Sequence, residues 1–312
     1  NYLLFPDGTK SYFPDRIPCA IKFKTEEGDQ FSRLYSSEMI GLIESLNLPR
    51  YGLINYYDES KATGITKQEQ LIIDNLSKAG KRMMGFCKST FFKRIDSSGF
   101  SFLLTVYRHI LRNAVFIYAI DNKLPLPIGD ENNLPEEFLE DEDTNETFFE
   151  NEDNNDAVCE RGQEIIFPTD MKVYMAKAKE YYDIISHKNN LSWINHKYFK
   201  RTLKQQLNKD CVTLIDMLKL CGNWNADNDQ KLIELHDLLE QKHSKDKVLV
   251  FTQYSDTAKY IYRHLKRMGV EKIACVTGNS QNPTSDVEHF SPLSNEKNYS
   301  IDEQYRVLIA TD

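Results

Sequence analysis

Apolar residues at helical spacing fill the middle of the chain. From Phe100 to Ile120 they recur every three or four residues, which predicts a helix with one buried face. Thr66 followed by Glu69 forms a capping-box pattern that predicts the start of an earlier helix. We expect that helix to break at Gly85–Lys88 and the next short helix to end at Ser97–Gly99.

The segments on either side of this block carry weaker patterns. Alternating apolar and polar residues predict a strand over Arg16–Lys24, and a helix is expected over Gln30–Leu46. Asp170 is a plausible N-cap for another helix, and one more is predicted over Tyr198–Leu220 with Gly222 closing it. The candidate core residues of that last helix are Leu203, Leu207, Val212, Leu214, Ile215 and Leu218.

The last third of the chain alternates helices with short apolar runs. Asp229–Gln241 is amphipathic, and a second helix is expected to be capped at Ser255 and Asp256. Three apolar runs are typical of buried parallel strands: Lys247–Phe251, Ile273–Val276 and Arg306–Ala310. The expected fold class is therefore α/β plus α, with a helical region followed by a parallel sheet.

Composition narrows the class of protein. The chain has 312 residues, of which 28% are charged and 12% aromatic, as in folded domains rather than disordered ones. No apolar stretch is long enough for a membrane span, so no membrane partner is expected. The six cysteines show no metal-ligand or disulfide spacing, which predicts reduced thiols and a cytoplasmic location. The N-terminus has neither Met nor a basic leader, as expected for a piece of a longer protein.

Charge is distributed very unevenly along the chain. The net charge of −8 becomes +5 once the thirteen acidic residues of 130–156 are set aside, and that segment contains no Lys or Arg. Such a run is most often a solvated insertion. The alternative is an acidic decoy that covers a basic surface and competes there with nucleic acid.

Three stretches of the last third carry a resemblance to a known family. Val248–Thr257, with Tyr260–Leu265 behind it, resembles the opening of the second RecA-like lobe of superfamily 2 helicases. The similarity is strongest to Swi/Snf-type duplex-DNA translocases and to bacterial RNA-polymerase-recycling ATPases. Thr277–Gly278 and Arg306–Asp312 resemble the next two elements of that lobe, in the same order.

The resemblance implies contact with a nucleic-acid backbone or coupling between lobes. Ligands bind at the carboxyl ends of parallel strands, and hydroxyl and N–H groups there can hold phosphates. The residues that the resemblance assigns to these roles are Thr252, Gln253, Tyr254, Ser255, Thr277, Gly278, Thr311 and Asp312. The simpler alternative is that Ser255 and Asp256 only cap a helix and that Gly278 only makes a turn; for Asp256 we favour the cap.

A second resemblance lies in the middle of the chain. Phe86–Gly99 and Arg108–Asn113 are similar to the helical segment between the lobes of bacterial helicases of this branch. It suggests a basic, DNA-facing stripe made of Lys88, Lys93, Arg94, Arg108 and Arg112. The alternative is that Arg108 and Arg112 pair with carboxylates such as Asp96 and Asp121.

The family pattern divides the chain into three parts. Residues 1–60 would end the first lobe and its linker, 61–225 would form a helical inter-lobe domain with the acidic insertion at 130–156, and 226–312 would begin the second lobe. Asp312 would then be an internal edge of the longer protein rather than its natural end.

The motifs that handle ATP in this family are missing from the sequence. No glycine-rich loop ending in Lys and Ser or Thr occurs, nor an acidic strand end for Mg²⁺. ATP and Mg²⁺ are therefore expected only in the full-length protein, and this chain alone is expected to be inactive and to bind no metal.

The expected partners are duplex DNA in preference to RNA, the first helicase lobe, and proteins that bind the helical region. Phosphate contacts alone cannot distinguish DNA from RNA. The rival hypothesis is a non-catalytic, helicase-like scaffold or protein-interaction module.

Overall fold

A computed structural model describes residues 2–5, 7–12, 17–23, 25, 28–129, 159–161, 164–187, 191–278 and 280–311. The helices are α1 (Gln30–Leu34), α2 (Ser37–Ser45), α3 (Lys67–Ser97), α4 (Gly99–Asp121), α5 (Met171–Ser186), α6 (Thr202–Cys221), α7 (Gln230–Asp237), α8 (Ser255–Arg267) and α9 (Pro283–Phe290). The strands are β1 (Tyr2–Leu4), β2 (Lys10–Tyr12), β3 (Pro125–Gly129), β4 (Cys159–Arg161), β5 (Glu164–Ile166), β6 (Ser192–Asn195), β7 (Trp224–Asn225), β8 (Val248–Thr252), β9 (Ile273–Val276) and β10 (Val307–Thr311).

Helix α3 runs without interruption through the break predicted at Gly85–Lys88. The capping box between Thr66 and Glu69 is present, so the predicted start is confirmed. The predicted break is wrong, because Gly85 costs an exposed helix only about 1 kcal/mol and the buried side chains of Cys87 and Phe91 outweigh it. Ser98 then ends α3 and caps α4, so the two long helices meet at one corner.

The N-terminal predictions fail in two respects. Residues 17–23 form no strand, because no neighbouring strand pairs with them, and Ile17 is 88% exposed. The helix predicted over Gln30–Leu46 is two helices, because Ser36 accepts from the Met39 N–H and caps α2.

The remaining helix predictions mostly hold. Asp170 caps α5, and Gly222 ends α6 in the left-handed region at φ +69°. Val212, predicted to be core, is 60% exposed because it lies on the outer face of α6. β3 is unexpected for a sequence rich in proline, yet it pairs antiparallel with β6. The acidic segment 130–156 lies outside the described residues.

The last third forms the predicted parallel sheet. β10 lies between β8 and β9 and is parallel to both, which confirms all three predicted strands. The expected burial of the first of them is wrong, because β8 lies at the edge of this sheet and its Leu249 and Phe251 are 45% and 63% exposed. Helix α8 packs on the three strands, and α9 packs on β9 and β10. The molecule is thus mixed helix and sheet, with a small parallel sheet that is compatible with the α/β class.

Helix α4 joins two parts of the molecule, which we call the helical region (residues 61–225) and the sheet region (residues 226–311). It packs against α3, α5 and α6, and also against α8 of the sheet region. One continuous cluster of buried apolar residues includes Phe102 and Leu103 of α4 together with Ala258, Leu265 and Ile309 of the sheet region. The two regions therefore share a core. No helix among the described residues has the length and apolar character to cross a bilayer.

Candidate functional site

The carboxyl ends of the three parallel strands bring polar side chains to one edge of the sheet. Thr252 lies opposite Thr311 in the register of β8 and β10, and Thr277 follows the last residue of β9. Gln253 and Gly278 are exposed, whereas Thr252 and Thr311 are half-buried. This edge offers hydroxyl, amide and backbone N–H groups, which can bind the oxygens of an anion. Asp312 lies outside the described residues.

Thr277 is buried rather than open at this edge. Its backbone N–H donates to the Ser280 hydroxyl at 2.9 Å, so that N–H already has a partner within the protein. Gly278 is exposed, and among the described residues, its chain neighbours aside, no atom lies within 4 Å of the position that a Cβ would take.

Tyr254 and Ser255 are buried, so their side chains do not form part of an open contact surface. Tyr254 stands at the N-cap of α8, where its carbonyl accepts from the Ala258 N–H at 3.0 Å. The guanidinium of Arg94 lies 3.8 Å from the centre of the Tyr254 ring. The turn from Gln253 to Ser255 is therefore held by a residue of the helical region.

Asp256 is a buried ion-pair partner, and its interpretation as a helix cap is wrong. Helix α8 has no side-chain cap. One Asp256 oxygen accepts from Arg94 at 3.0 Å and from Arg108 at 2.6 Å, and the other oxygen accepts from Arg108 at 3.0 Å. We call Arg94, Arg108 and Asp256 the ion cluster. Such fork-shaped pairing is the strong form of the charge-assisted hydrogen bond.

The charges of the ion cluster offset the cost of burying it. Burial by itself would raise the pKa of Asp256, but the guanidinium groups of Arg108 and Arg94 outweigh it and hold that pKa below its ordinary value. Removing one member would leave the other charges buried without full compensation, which typically costs about 3–5 kcal/mol.

A chain of hydroxyl groups runs beside the ion cluster. Thr257 lies 2.8 Å from the Ser97 hydroxyl and 2.9 Å from the Ser101 hydroxyl. Ser97 also lies 3.4 Å from the Thr252 hydroxyl at the sheet edge. The corner between α3 and α4 is thus joined directly to the end of β8 and the start of α8.

Close packing at the same corner requires a glycine. A Cβ atom on Gly99 would lie 2.2 and 2.4 Å from two ring carbons of Trp224 and 2.6 Å from Leu34. The Trp224 indole donates to the Tyr260 hydroxyl at 3.0 Å, and that hydroxyl donates to Asp229 at 2.9 Å. Burial raises the pKa of Asp229, despite the hydrogen bonds that it accepts from Leu232 and Tyr260.

The predicted basic stripe does not exist as a solvent-facing row. Arg94 and Arg108 belong to the ion cluster and are buried. The alternative that Arg108 pairs with a carboxylate is confirmed, with Asp256 as the observed carboxylate. Asp121, one of the two carboxylates suggested, pairs with Lys204 at 2.5 Å.

The other three members of the stripe differ in their partners and exposure. Lys88 donates to the Glu44 carbonyl at 2.5 Å, and Arg112 is half-buried. Lys93 alone of the five is exposed, and it lies one helical turn before Ser97, whose hydroxyl is 3.4 Å from that of Thr252 at the sheet edge.

Sequence reasoning missed the ion cluster. Arg108 lies in the stretch of α4 from Ser101 to Leu111, in which every residue is buried. A charged residue within such a stretch indicates a buried ion pair, because arginine is rarely buried without a partner. Its partner lies 148 positions away along the chain, so no local pattern identifies it.

Metal binding and thiol chemistry are the other kinds of site considered from the sequence. No group of three or more His, Cys, Asp or Glu side chains among them could hold a metal ion. Burial raises the pKa of Cys211 and of Cys221 to about 12, which keeps both as protonated thiols. No protein-family model, curated protein or solved structure matches the chain.

Proposed function

We propose that these 312 residues are the part of an ATP-dependent helicase or duplex-DNA translocase of superfamily 2 that holds the nucleic-acid backbone. The observation that carries the proposal is the parallel sheet β8–β10–β9, whose carboxyl edge presents Thr252, Gln253, Gly278 and Thr311 together. In such sheets ligands bind at this edge, and hydroxyl and amide donors there suit phosphate oxygens.

The residues of the edge divide into two roles under this proposal. Exposed Gln253 and Gly278 and half-buried Thr252 and Thr311 contact the phosphate backbone, with Lys93 as the nearby cation. Buried Tyr254, Ser255 and Thr277 would couple that contact to the rest of the protein, and Asp312 keeps its proposed role in the same motif. The contacts carry no base information, so the proposed binding is independent of DNA sequence.

ATP and Mg²⁺ would belong to the first lobe. The described residues do not fit them, because the edge of the sheet presents hydroxyl and amide groups and lacks a cluster of carboxylates for a cation. The chain by itself is therefore proposed to hydrolyse no ATP. DNA-stimulated ATP hydrolysis by the purified chain would refute this part of the proposal.

The direct test is binding of a short fluorescent duplex DNA, measured by anisotropy over a range of salt concentrations. Gln253→Ala is expected to weaken binding about tenfold to a hundredfold, since it removes one hydrogen bond to a charged group. Lys93→Met is expected to weaken binding and to lower the salt slope by about one. Lys88→Met is the matched control on the same helix, because Lys88 is engaged by the Glu44 carbonyl. Equal DNA affinity of the unmodified chain and of the three variants would refute the proposal.

The choice of DNA over RNA needs its own comparison. The proposed contacts read phosphate and cannot recognise a 2′-hydroxyl. Affinity for duplex DNA and for duplex RNA of the same length, at one salt concentration, measures the preference. Tighter binding of duplex RNA would replace DNA as the proposed substrate.

One observation favours the rival function, a non-catalytic scaffold. Tyr254, Ser255, Arg94 and Arg108, all expected to serve nucleic acid, are used in internal packing instead. A scaffold of this kind would bind proteins through its helical region and would not bind duplex DNA even at low salt. The same anisotropy measurement on the unmodified chain distinguishes the two. A cytoplasmic location is part of either proposal.

A further inference from the structure

The turn that carries Gln253 is held in place by the helical region as well as by its own sheet, in which Thr252 lies opposite Thr311. Arg94 of α3 covers the Tyr254 ring at 3.8 Å and bonds to Asp256 at 3.0 Å. Arg108 of α4, a second helix, donates to both oxygens of the same carboxylate. Two helices outside the sheet therefore fix the residues on the C-terminal side of Gln253.

Neighbouring residues of α3 face opposite environments. Lys93 is exposed, whereas Arg94 is among the largest fully buried side chains. Ser97, one turn later, reaches Thr252 and Thr257. The last turns of α3 thus present a cation to solvent and, on their inner side, hold both ends of the Thr252–Thr257 turn.

We propose that Arg94 and Arg108 are positioning residues that keep the Gln253–Ser255 turn in its binding conformation. The affinity for a nucleic-acid backbone would then depend on the packing of α3 and α4 against α8. The role of Gln253 in binding rests on the proposed function, whereas the positioning of the turn does not.

A purely stabilising role predicts a different outcome from a positioning role. Buried ion pairs seldom stabilise a fold more than apolar residues of similar size, so replacing all three charges together leaves stability nearly unchanged. The planar guanidinium of Arg94, however, satisfies a ring face and a carboxylate at once, and an apolar chain cannot reproduce that geometry. Stability and turn geometry can therefore be separated.

The test uses the triple variant Arg94→Met, Arg108→Leu, Asp256→Leu of the whole chain. Hydrogen exchange is followed at the Ala258 amide, whose bond to the Tyr254 carbonyl closes the first turn of α8. We expect exchange about tenfold faster than in the wild type, because the released turn frays. The Met268 amide, bonded to His264 at the far end of α8, should keep its rate. An unchanged rate at Ala258 in the folded triple variant would overturn the proposal.

A milder variant serves if the triple variant does not fold. Arg94→Lys keeps a positive charge facing Asp256 but loses the flat face over Tyr254, so Ala258 exchange should rise about threefold. A wild-type rate in this variant would contradict the proposal. Arg306→Met is the matched control, because Arg306 bonds to the Leu239 and His243 carbonyls and lies at the start of β10.

Duplex-DNA affinity gives the second readout. In the wild type, Gln253→Ala should weaken binding, whereas in the triple variant the same change should have no further effect, since the turn is already misplaced. If Gln253→Ala weakens DNA binding by the same factor in the wild type and in the triple variant, the positioning role is contradicted. Absence of DNA binding by the wild type refutes the proposed function, and in that case the exchange rates still decide whether the turn is positioned by the two arginines.

Discussion

Both terminal nitrogens of Arg108 donate to the two oxygens of Asp256, at 2.6 and 3.0 Å. The two residues lie on α4 and α8, so this pair joins the helical region to the first helix after β8. Arg94 completes the ion cluster from α3. The two regions are thus joined by a buried ion cluster as well as by a shared apolar core.

Arg108→Met is expected to lower the free energy of unfolding by about 3–5 kcal/mol, because Asp256 loses two of its three hydrogen bonds while it stays buried. Urea unfolding measures the change. Lys204→Met is the control, since it breaks the exposed pair with Asp121 and should cost about 1 kcal/mol or less. Similar costs for the two variants would mean that Asp256 is hydrated or finds another partner.

The two buried aspartates should give pH dependences of opposite sign. The lowered pKa of Asp256 contributes stability above the ordinary carboxyl pKa, and this stability is lost as the pH falls through the folded-state value. The raised pKa of Asp229 means that the folded state binds its proton more tightly, so stability falls as the pH rises through the ordinary carboxyl range and the raised folded-state pKa.

Asp229→Asn isolates the second effect. The stability of the wild type minus that of the variant should decrease as the pH rises from the ordinary carboxyl range toward neutrality, because only the wild type must ionise a buried group. Melting temperatures over a pH series measure this difference. Asp216→Asn, at an exposed site beside Lys219, is the control. A difference that grows with pH would show that the hydrogen bonds to Asp229 outweigh its burial.

Much of the architecture follows from local sequence patterns. The three parallel strands, the capping box at Thr66 and the end of α6 at Gly222 each depend on a few neighbouring residues, and each is confirmed. The candidate edge of the sheet follows from the parallel direction of the three strands, because ligands bind at the carboxyl ends of parallel strands.

Long-range pairing is what the sequence could not reveal. Local rules favour Asp256 as a helix cap, but two arginines more than 140 positions away bind it instead. A glycine such as Gly85 suggests a break when it is judged alone, whereas the packing of its neighbours keeps α3 whole. The same limit explains why exposed Lys93 and buried Arg94 could not be told apart as members of the predicted stripe.

Two glycine-to-alanine changes on adjacent helices should have opposite effects. Gly99→Ala drives a methyl group into Trp224 and Leu34 and should destabilise the protein by about 1–3 kcal/mol or more. Gly85→Ala meets open space within α3 and should stabilise by about 0.5–1 kcal/mol. Thermal unfolding of both variants checks the signs, and stabilisation by Gly99→Ala would mean that the Trp224 ring can move aside.

The hydroxyl chain should couple α4 to α8 by a measurable energy. Thr257→Val keeps the shape of the side chain but removes the hydroxyl that joins Ser97 and Ser101, so it should cost about 1–3 kcal/mol. Ser101→Ala in the Thr257→Val background should cost less than it does in the wild type, because its main side-chain partner is already gone. A double-mutant cycle from urea unfolding gives the coupling.

Thr90→Val provides the control for that cycle, since the Thr90 hydroxyl bonds only locally to the Phe86 carbonyl on the same helix. Its effect should be below about 0.5 kcal/mol and should add to that of Thr257→Val without coupling. If Ser101 and Thr257 also prove additive, the hydroxyl chain does not link the two regions, and their association must depend on other contacts such as the ion cluster, the Trp224–Tyr260 hydrogen bond and the shared apolar core.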